Sequence, residues 1–249
     1  MKKLLTIGVG LLGVGLIILG VAYALISGDL RKTATDSKFE EKQTTFQTAD
    51  IKNLLVEVAT DEVEITGTDK NEITVSYYET KTHQFEVTAA DGSVIVKSKH
   101  EPWRFSFLFD FSWLSHERAV RIQVPQKLLK KIDLTSSTGS LRINDVTATK
   151  EIVAKSTTGD ITIKQAMADS ASFTSTTGSL RFDKLTVDKE LSAKTTTGNI
   201  DGNLTGKQSD YRTEVKTSTG SSNITNQAGG NKELKLHTTT GDIRLSFND

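Results

Sequence analysis

Residues 130–143 read K-K-I-D-L-T-S-S-T-G-S-L-R-I, in which a Thr-Gly dipeptide is flanked on both sides by alternating apolar and polar residues. This unit occurs six times in the chain. Apolar residues occupy every second position on both sides of the glycine, which is typical of a strand, a turn and a second strand with one buried face. The unit predicts an all-β fold. Its glycines, spaced by 20, 19, 20, 22 and 21 residues, are Gly139, Gly159, Gly178, Gly198, Gly220 and Gly241.

A β-solenoid with about 20 residues per rung explains the repeat, because equal offsets from the glycine stack into ladders about 4.8 Å apart. The glycine would supply a positive φ at the corner, and the Ser/Thr tract before it can hydrogen-bond locally or along the stack. An antiparallel sandwich with hairpins every 20 residues is the alternative, and it explains the matched offsets less well. Five residues before the glycine, large and small side chains alternate in sequence order as Leu134, Ala154, Phe173, Ala193 and Val215.

The same units carry a family resemblance. The run R-A-V-R-I-Q-V-P at Arg118–Pro125, followed by residues 130–143 and the later Thr-Gly units, resembles the bacterial putative-adhesin β-strand-repeat domain, which includes LiaG-like envelope proteins. The resemblance covers roughly residues 50–249. It implies an envelope-associated β-solenoid, often behind a membrane anchor, with an adhesin or envelope-stress role and no established catalytic motif.

The N-terminal segment predicts the compartment. Leu4–Gly28 holds 25 residues without a charge, and as a helix of about 37 Å it would cross a hydrocarbon core of about 30 Å. Lys2 and Lys3 precede it, which favours an N-terminus inside and the rest of the chain outside. We expect a transmembrane signal anchor over residues 1–28, in a single-pass cell-membrane protein whose C-terminal domain is extracytoplasmic. Secretion after cleavage near Ala24, which ends an A-x-A match, is the alternative.

The remaining chain divides by its pattern. Residues 29–50 are polar and unpatterned, which predicts a linker with little regular structure. Residues 51–130 alternate less regularly than the later repeats, and we interpret them as irregular early rungs. Residues 51–249 therefore form one predicted solenoid domain, in which the regular Thr-Gly repeats occupy 131–249.

An aromatic strip interrupts the early rungs over residues 103–113, where every odd position is aromatic. A strand with such a face either covers the open end or side of the core, or exposes a surface for a membrane interface, a partner protein or a cell-wall glycan. Both interpretations remain open, and the strip is the candidate binding surface. Its members, six of the sixteen aromatic residues in the chain, are Trp103, Phe105, Phe107, Phe109, Phe111 and Trp113.

Composition excludes several classes of function. Lys+Arg and Asp+Glu both number 31, whereas a nucleic-acid-coating protein needs a clustered cationic excess. The absence of cysteine removes disulfides, thiolate zinc sites and cysteine nucleophiles. The four histidines lack metal-ligating spacing, although His100 and His116 could meet if the aromatic strip folds back as a hairpin. We expect no metal, no cofactor, no nucleic-acid partner and no catalytic residue.

Two sets of charged residues near the turns are candidates for function. Asp160 and Asp242 follow their turn glycines directly, and in sequence order they stand four rungs and about 19 Å apart, too far to share one glycosidic bond. Outward bases such as Arg142 and Lys155 could touch an anionic wall polymer or lipid headgroups. Outside residues 1–28, however, 29 bases face 31 acids, a net of −2, which favours a solvated strand face.

These observations predict a membrane-anchored extracytoplasmic β-repeat protein, held through residues 4–28, with a non-catalytic binding role in the bacterial cell envelope. Its partner would be an envelope protein, a cell-wall polymer or a lipid surface. The alternative is a scaffold that self-associates through solenoid ends, because the last unit would leave an unpaired strand with apolar Ile243 and Leu245. A carbohydrate-active enzyme on a β-helix is the third hypothesis.

Overall fold

The computed structural model describes residues 40–80, 83–99, 119–127 and 129–248. Within these ranges there is no α-helix, only a 3-10 turn at Gln208–Asp210. No helix there is long and apolar enough to span a bilayer, and the predicted anchor at Leu4–Gly28 lies outside the described residues. The strands are β1 (Glu40–Gln47), β2 (Asn53–Val58), β3 (Glu62–Thr68), β4 (Glu72–Glu79), β5 (Gln84–Ala90), β6 (Ser93–Lys99), β7 (Ala119–Pro125), β8 (Lys131–Ser136), β9 (Leu141–Asn144), β10 (Thr147–Thr158), β11 (Ile161–Lys164), β12 (Met167–Thr177), β13 (Leu180–Thr197), β14 (Ile200–Thr205), β15 (Tyr211–Thr219), β16 (Lys232–Thr240) and β17 (Ile243–Asn248).

The strands form two sheets that share β13. Sheet A has the order β1-β4-β7-β3-β9-β11-β13-β14-β17, and sheet B has the order β5-β6-β2-β8-β10-β12-β13-β16-β15. The pairs β1–β4, β4–β7 and β5–β6 are antiparallel, and the other strand pairs are parallel. The Thr-Gly units thus stack in register, which confirms an all-β, solenoid-like repeat fold.

The core is filled by ladders of side chains at equal offset, as the repeat predicts. In sheet B, Leu134 pairs with Ala154 and Ala154 with Phe173, and all three are fully buried. Large residues therefore alternate with small ones down the stack, so that each bulky side chain has room over its neighbours. Full burial of a leucine or phenylalanine contributes about 1.5–3 kcal/mol, so these ladders supply much of the driving force for folding.

The stack departs from sequence order at both ends. β16 and β17, the last strands of the chain, pair with β13 and β14, while β15 from the preceding repeat lies beyond β16. The core ladder therefore runs from Ala193 to Leu236 and then to Val215, and the predicted direct step from Ala193 to Val215 is wrong. At the other end, β2 and β3 lie between the β6–β7 rung and the β8–β9 rung.

The exchanged order has a physical reason in the side chains that it brings together. It sets the large Leu236 against the small Ala193, so the alternation is kept as it would be with Val215 in sequence order. It also pairs Arg244 with Asp201 at 3.2 Å. In sequence order, the two ammonium groups of Lys194 and Lys216 would stand directly opposite each other, which is destabilising, whereas the actual order places a rung between them.

The Thr-Gly corner is confirmed as a site where glycine is required. Gly178 has a φ of +152°, and a Cβ there would lie 2.2 Å from the carbonyl oxygen of Gly159 on the next rung. Five of the six repeat glycines have a positive φ. Gly139 does not, and close approach alone requires glycine there, because its Cβ would overlap the carbonyl oxygen of Asp61.

The threonine-rich tract hydrogen-bonds along the stack. Three residues before each turn glycine stands a Ser or Thr, and from the second unit onward its hydroxyl donates to the carbonyl of the turn glycine one rung away. These side chains are buried in five of the six units, Thr217 being half-buried, and an unmade hydrogen bond at a buried position would cost about 1–3 kcal/mol. The donors and acceptors are Ser156 to Gly139, Ser175 to Gly159, Thr195 to Gly178, Thr238 to Gly198 and Thr217 to Gly241.

The predicted linker is shorter than its pattern indicates. Residues 40–47 form β1, which pairs antiparallel with β4 along its whole length. Phe46 packs against the core, and Lys42 forms an ion pair with Glu79 at 2.6 Å. The expectation of an unstructured segment up to residue 50 is therefore wrong, because an eight-residue ladder and one apolar anchor suffice to order a strand that is otherwise polar.

Tyr211 closes the core at the β15 end of the stack. Its side chain is fully buried, and its ring centroid lies 5.7 Å from that of Phe247. Within the part of the chain that the structure describes, its hydroxyl has no hydrogen-bond partner. Burial, together with the nearby Asp210 and Asp188 charges, raises the pKa of Tyr211 to about 12.

We expect Tyr211→Phe to leave the free energy of unfolding unchanged at pH 7 or to raise it by up to about 2 kcal/mol, because it removes an unpaired buried hydroxyl. Because the pKa of Tyr211 is higher in the folded state than its unfolded-state value of about 10, ionisation favours the unfolded state. The stability present below pH 10 is therefore lost as the pH rises through 12. Across that window the wild type should lose about 2–3 kcal/mol that the variant does not. Urea unfolding between pH 7 and 12 measures both effects, with Tyr78→Phe as the control. A clear loss of stability in Tyr211→Phe at pH 7 would show that the hydroxyl has a partner.

Candidate functional site

The candidate aromatic strip at 103–113 lies outside the described residues, but the strands on either side of it are described. β6 ends at Lys99 and β7 begins at Ala119, so 19 residues join them. Their neighbours in the stack, β2 and β3, are joined by only the three residues 59–61. The aromatic strip is thus part of a long insertion between two strands that the adjacent rung connects by a tight corner.

Asp61 occupies the glycine position of that adjacent corner. Its carbonyl lies against Gly139, and its side chain is nearly fully buried. Asp61 Oδ1 is 2.9 Å from His83 Nε2, whereas Asp61 Oδ2 is buried without a hydrogen-bond partner among the described residues. The His83 ring packs edge-on against Phe85, with a centroid distance of 4.9 Å. This polar pair lies next to the strands that flank the insertion.

Sequence reasoning missed the Asp61–His83 pair, although a signal for half of it exists. The run T-D-E-V-E-I at residues 60–65 matches T-G-S-L-R-I at 138–143, with aspartate in place of the turn glycine. An aspartate at a position where the neighbouring units need glycine indicates a corner of different construction. The position of His83 has no such signal, because it depends on the antiparallel pairing of β5 with β6.

The corner carboxylates Asp160 and Asp242 serve the stack. Asp160 Oδ1 accepts the Ser179 backbone N–H at 2.8 Å, and Asp242 Oδ1 accepts that of Ser221 at 2.8 Å. The exchanged rung order places the two aspartates three rungs apart, about 14 Å, and not four, because Asn199 on β13–β14 is the direct neighbour of Asp242. One glycosidic bond still cannot reach both.

The titration of these carboxyls differs from that of a general acid. Partial burial raises the pKa of Asp160, but hydrogen bonds from Arg181 and the Ser179 N–H outweigh it and hold the pKa below its ordinary value. Hydrogen bonds from the Ser221 N–H and hydroxyl lower the pKa of Asp242. A glycosidase acid needs a raised pKa, which neither residue has. Among the described residues, no three His, Asp or Glu side chains are grouped closely enough to hold a metal ion.

The outward arginines of sheet A are neutralised by carboxylates. Arg181 contacts Asp160 at 2.6 Å, and Arg244 contacts Asp201 at 3.2 Å. Arg142 forms an ion pair with Glu62. Exposed pairs of this kind contribute about 0–1 kcal/mol each, and they leave little free positive charge on this face for an anionic partner.

The end of the stack is covered, contrary to the expected unpaired last strand. Asn223 bonds to the β17 backbone through both side-chain atoms, accepting the Leu245 N–H and donating to the Leu245 carbonyl. On β15, Thr213 exchanges two backbone hydrogen bonds with Gln227. Ile243 and Leu245 are buried. The segment that follows β15 therefore occupies much of the edge on which self-association was expected to rest.

Solved structures resemble this chain in fold. A putative cell adhesion protein from Clostridium sporogenes matches with 13% identity and a TM-score of 0.52, over 85% of this chain and 100% of that one. A putative adhesin from Bacteroides fragilis shows 14% identity and a TM-score of 0.45, over 85% and 99% of the two chains. A putative lipid binding protein from Parabacteroides distasonis shows 10% identity and a TM-score of 0.34, over 86% and 99%.

The first of these likenesses supports a common fold. The names of the three proteins describe adhesion or lipid binding and no enzymatic activity. Among curated proteins, none matches this sequence. The profile of the Toastrack DUF4097 family matches residues 51–249, which is the whole of the predicted solenoid domain. Since the match covers most of the chain, the protein belongs to the Toastrack DUF4097 family.

Proposed function

We propose that this protein is a non-catalytic binding component of the bacterial cell envelope, anchored in the membrane by residues 4–28. The aromatic strip at 103–113 is its binding surface. The observation that carries this proposal is the 19-residue connection between β6 and β7, at a place where the adjacent rung needs three residues. A connection of that length is not needed to close the rung.

The chemistry of the insertion suits recognition. Its six aromatic side chains alternate with other residues over 11 positions, so one extended face would carry them all. Tryptophan and phenylalanine supply large contact areas at interfaces and at the boundary of a bilayer. The names of the matched solved structures, which describe adhesion and lipid binding, agree with a binding role at the level of the fold family.

The two tryptophans of the chain, Trp103 and Trp113, both lie in the strip, so tryptophan fluorescence, excited selectively over that of tyrosine, reports on this segment alone. For the full chain in a neutral detergent, we expect acrylamide to quench the emission readily. On addition of purified cell-wall sacculi or of phosphatidylcholine vesicles, we expect a blue shift and protection from quenching. Emission that is already blue and protected in the free protein would assign the strip to the core and overturn the proposal.

A pair of variants separates binding from folding. Trp103→Ser with Trp113→Ser should weaken binding to whichever of the two probes, sacculi or vesicles, the wild type binds by at least about tenfold. The urea midpoint of unfolding should stay unchanged. Trp103→Phe with Trp113→Phe keeps the aromatic face and should retain most of the binding. If the serine variant fails to fold while the phenylalanine variant is stable, the strip is structural.

A further inference from the structure

Sheet B carries a row of exposed bases that differs from the arginine row of sheet A. The row occupies the position four residues before each turn glycine. In the order of the stack, the residues at this position are Thr135, Lys155, Thr174, Lys194, His237 and Lys216. We call Lys155, Lys194 and Lys216 the cationic row. The three lysines are exposed, and in the part of the chain that the structure describes none of them has a carboxylate within ion-pair distance.

Most acids of sheet B lie away from this row, although the exposed Glu214 stands two residues from Lys216 on the same face and Glu57 of β2 is in register with Thr135. Glu151, Glu190 and Glu233 precede the row by four residues, about 13 Å. They are already paired there with bases, Glu151 with Lys131 and both Glu190 and Glu233 with Lys235. The same-face positions next to Lys155 and Lys194 are uncharged. A net charge near zero therefore hides a local cationic strip.

The stack fixes the spacing of the row. Lys155, Lys194 and Lys216 stand on every second rung, because Thr174 and His237 separate them. Their backbones are thus about 9.6 Å apart in a straight line along the stack. Two residues nearer the corner runs a parallel row of exposed hydroxyls, which is Ser137, Thr157, Thr176, Thr196, Thr239 and Ser218.

We propose that the cationic row, with the hydroxyl row beside it, binds a linear phosphodiester polymer that lies along the stack axis. Each phosphodiester carries one negative charge on two free oxygens, so one group can accept from an ammonium and from a neighbouring hydroxyl together. Lysine binds phosphate as a point charge on an adaptable stem. A repeating chain of charges matches a repeating row of ammonium groups, whereas a compact anion would engage one rung only.

This surface is separate from the aromatic strip of the proposed function, and its test does not depend on that function. The full chain in a neutral detergent is titrated with fluorescently labelled synthetic poly(glycerol phosphate) at several salt concentrations. With about three phosphates neutralised, the logarithm of the binding constant should fall against that of the salt concentration with a slope near −2.

Matched charge variants locate the site. Replacing the row lysines should weaken binding at low salt by at least about tenfold and flatten the salt dependence, whereas removing three exposed lysines elsewhere should change binding less than about twofold. Both variants should keep the wild-type urea midpoint, because all six side chains are exposed. The row variant combines Lys155→Gln, Lys194→Gln and Lys216→Gln, and the control combines Lys150→Gln, Lys164→Gln and Lys184→Gln.

Three results would overturn the proposal. The first is equal loss of binding in the two variants, or no binding by the wild type at low salt. The second is equal affinity for polyglutamate of the same charge, which would mean that the row attracts any polyanion. The third is binding to anionic phosphatidylglycerol vesicles, sensitive to the row variant, without binding to the soluble polymer, which would assign the row to a membrane surface.

Discussion

Gly178→Ala is expected to lower the free energy of unfolding by about 3–6 kcal/mol, enough to unfold a domain of ordinary stability. The new Cβ would lie 2.2 Å from the carbonyl oxygen of Gly159, and the φ of +152° is one that residues with a side chain rarely adopt. Gly178 lies in the middle of the stack, and its N–H donates to the Thr197 carbonyl. Relief of the overlap would therefore have to separate two rungs.

The same change at Gly229 is the matched control. Its nearest neighbour to an added Cβ is a side-chain nitrogen of Gln227 at 3.9 Å, and no positive φ restricts it. Gly229→Ala should therefore change the unfolding free energy by less than about 0.5 kcal/mol. Urea denaturation followed by circular dichroism compares the two. Similar stabilities for Gly178→Ala and Gly229→Ala would mean that the corners are not in the close contact described above.

Phe173→Ala is expected to cost about 3–5 kcal/mol. The side chain is fully buried, and its ring centroid lies 5.2 Å from that of Phe182. Its ladder partners are Ala154 and Ala193, so truncation leaves three alanines in succession and a cavity that neither neighbour can fill. The loss should appear as a lower urea midpoint with an unchanged slope.

Two further variants test whether the ladder is the cause. Phe173→Leu keeps most of the volume and should cost only about 1–2 kcal/mol. Phe46→Ala removes the same ring from a partly buried place on β1 and should also cost less than Phe173→Ala. If truncation at Phe173 were no worse than at Phe46, large side chains in this ladder would not hold the rungs together.

The repeat predicted the local construction of each unit in detail. Matched offsets on either side of Gly159 or Gly178 specify a strand, a corner and a strand whatever lies around them, because alternation and the need for glycine are local properties. The sequence allows the Ser/Thr tract to hydrogen-bond locally or along the stack, and the hydroxyls of Ser175 and Thr195 bond along the stack. These features depend on the sequence of one unit and on the presence of an adjacent rung, but not on which unit that rung comes from.

The candidate sites were less accessible to sequence reasoning. The aromatic strip could be found from its alternation alone, but the three-residue corner beside its flanking strands required the pairing of β6 and β7 with β2 and β3. Asp61 and His83 are 22 positions apart, and only packing brings them to 2.9 Å. The contrast between paired arginines and unpaired lysines also depends on which rungs are neighbours.

The sequence by itself determined that this chain is built from repeated β units, each with a glycine corner and a Ser/Thr tract before it. Only the tertiary structure decided the order in which the units stack. Because apolar residues stand at equal offsets in every unit, any unit can stack on any other, and the repeat pattern does not specify the stacking order. Interactions between the units distinguish the possible orders, as when Arg244 meets Asp201. The same order separates Lys194 from Lys216 by one rung and so creates the regular cationic row.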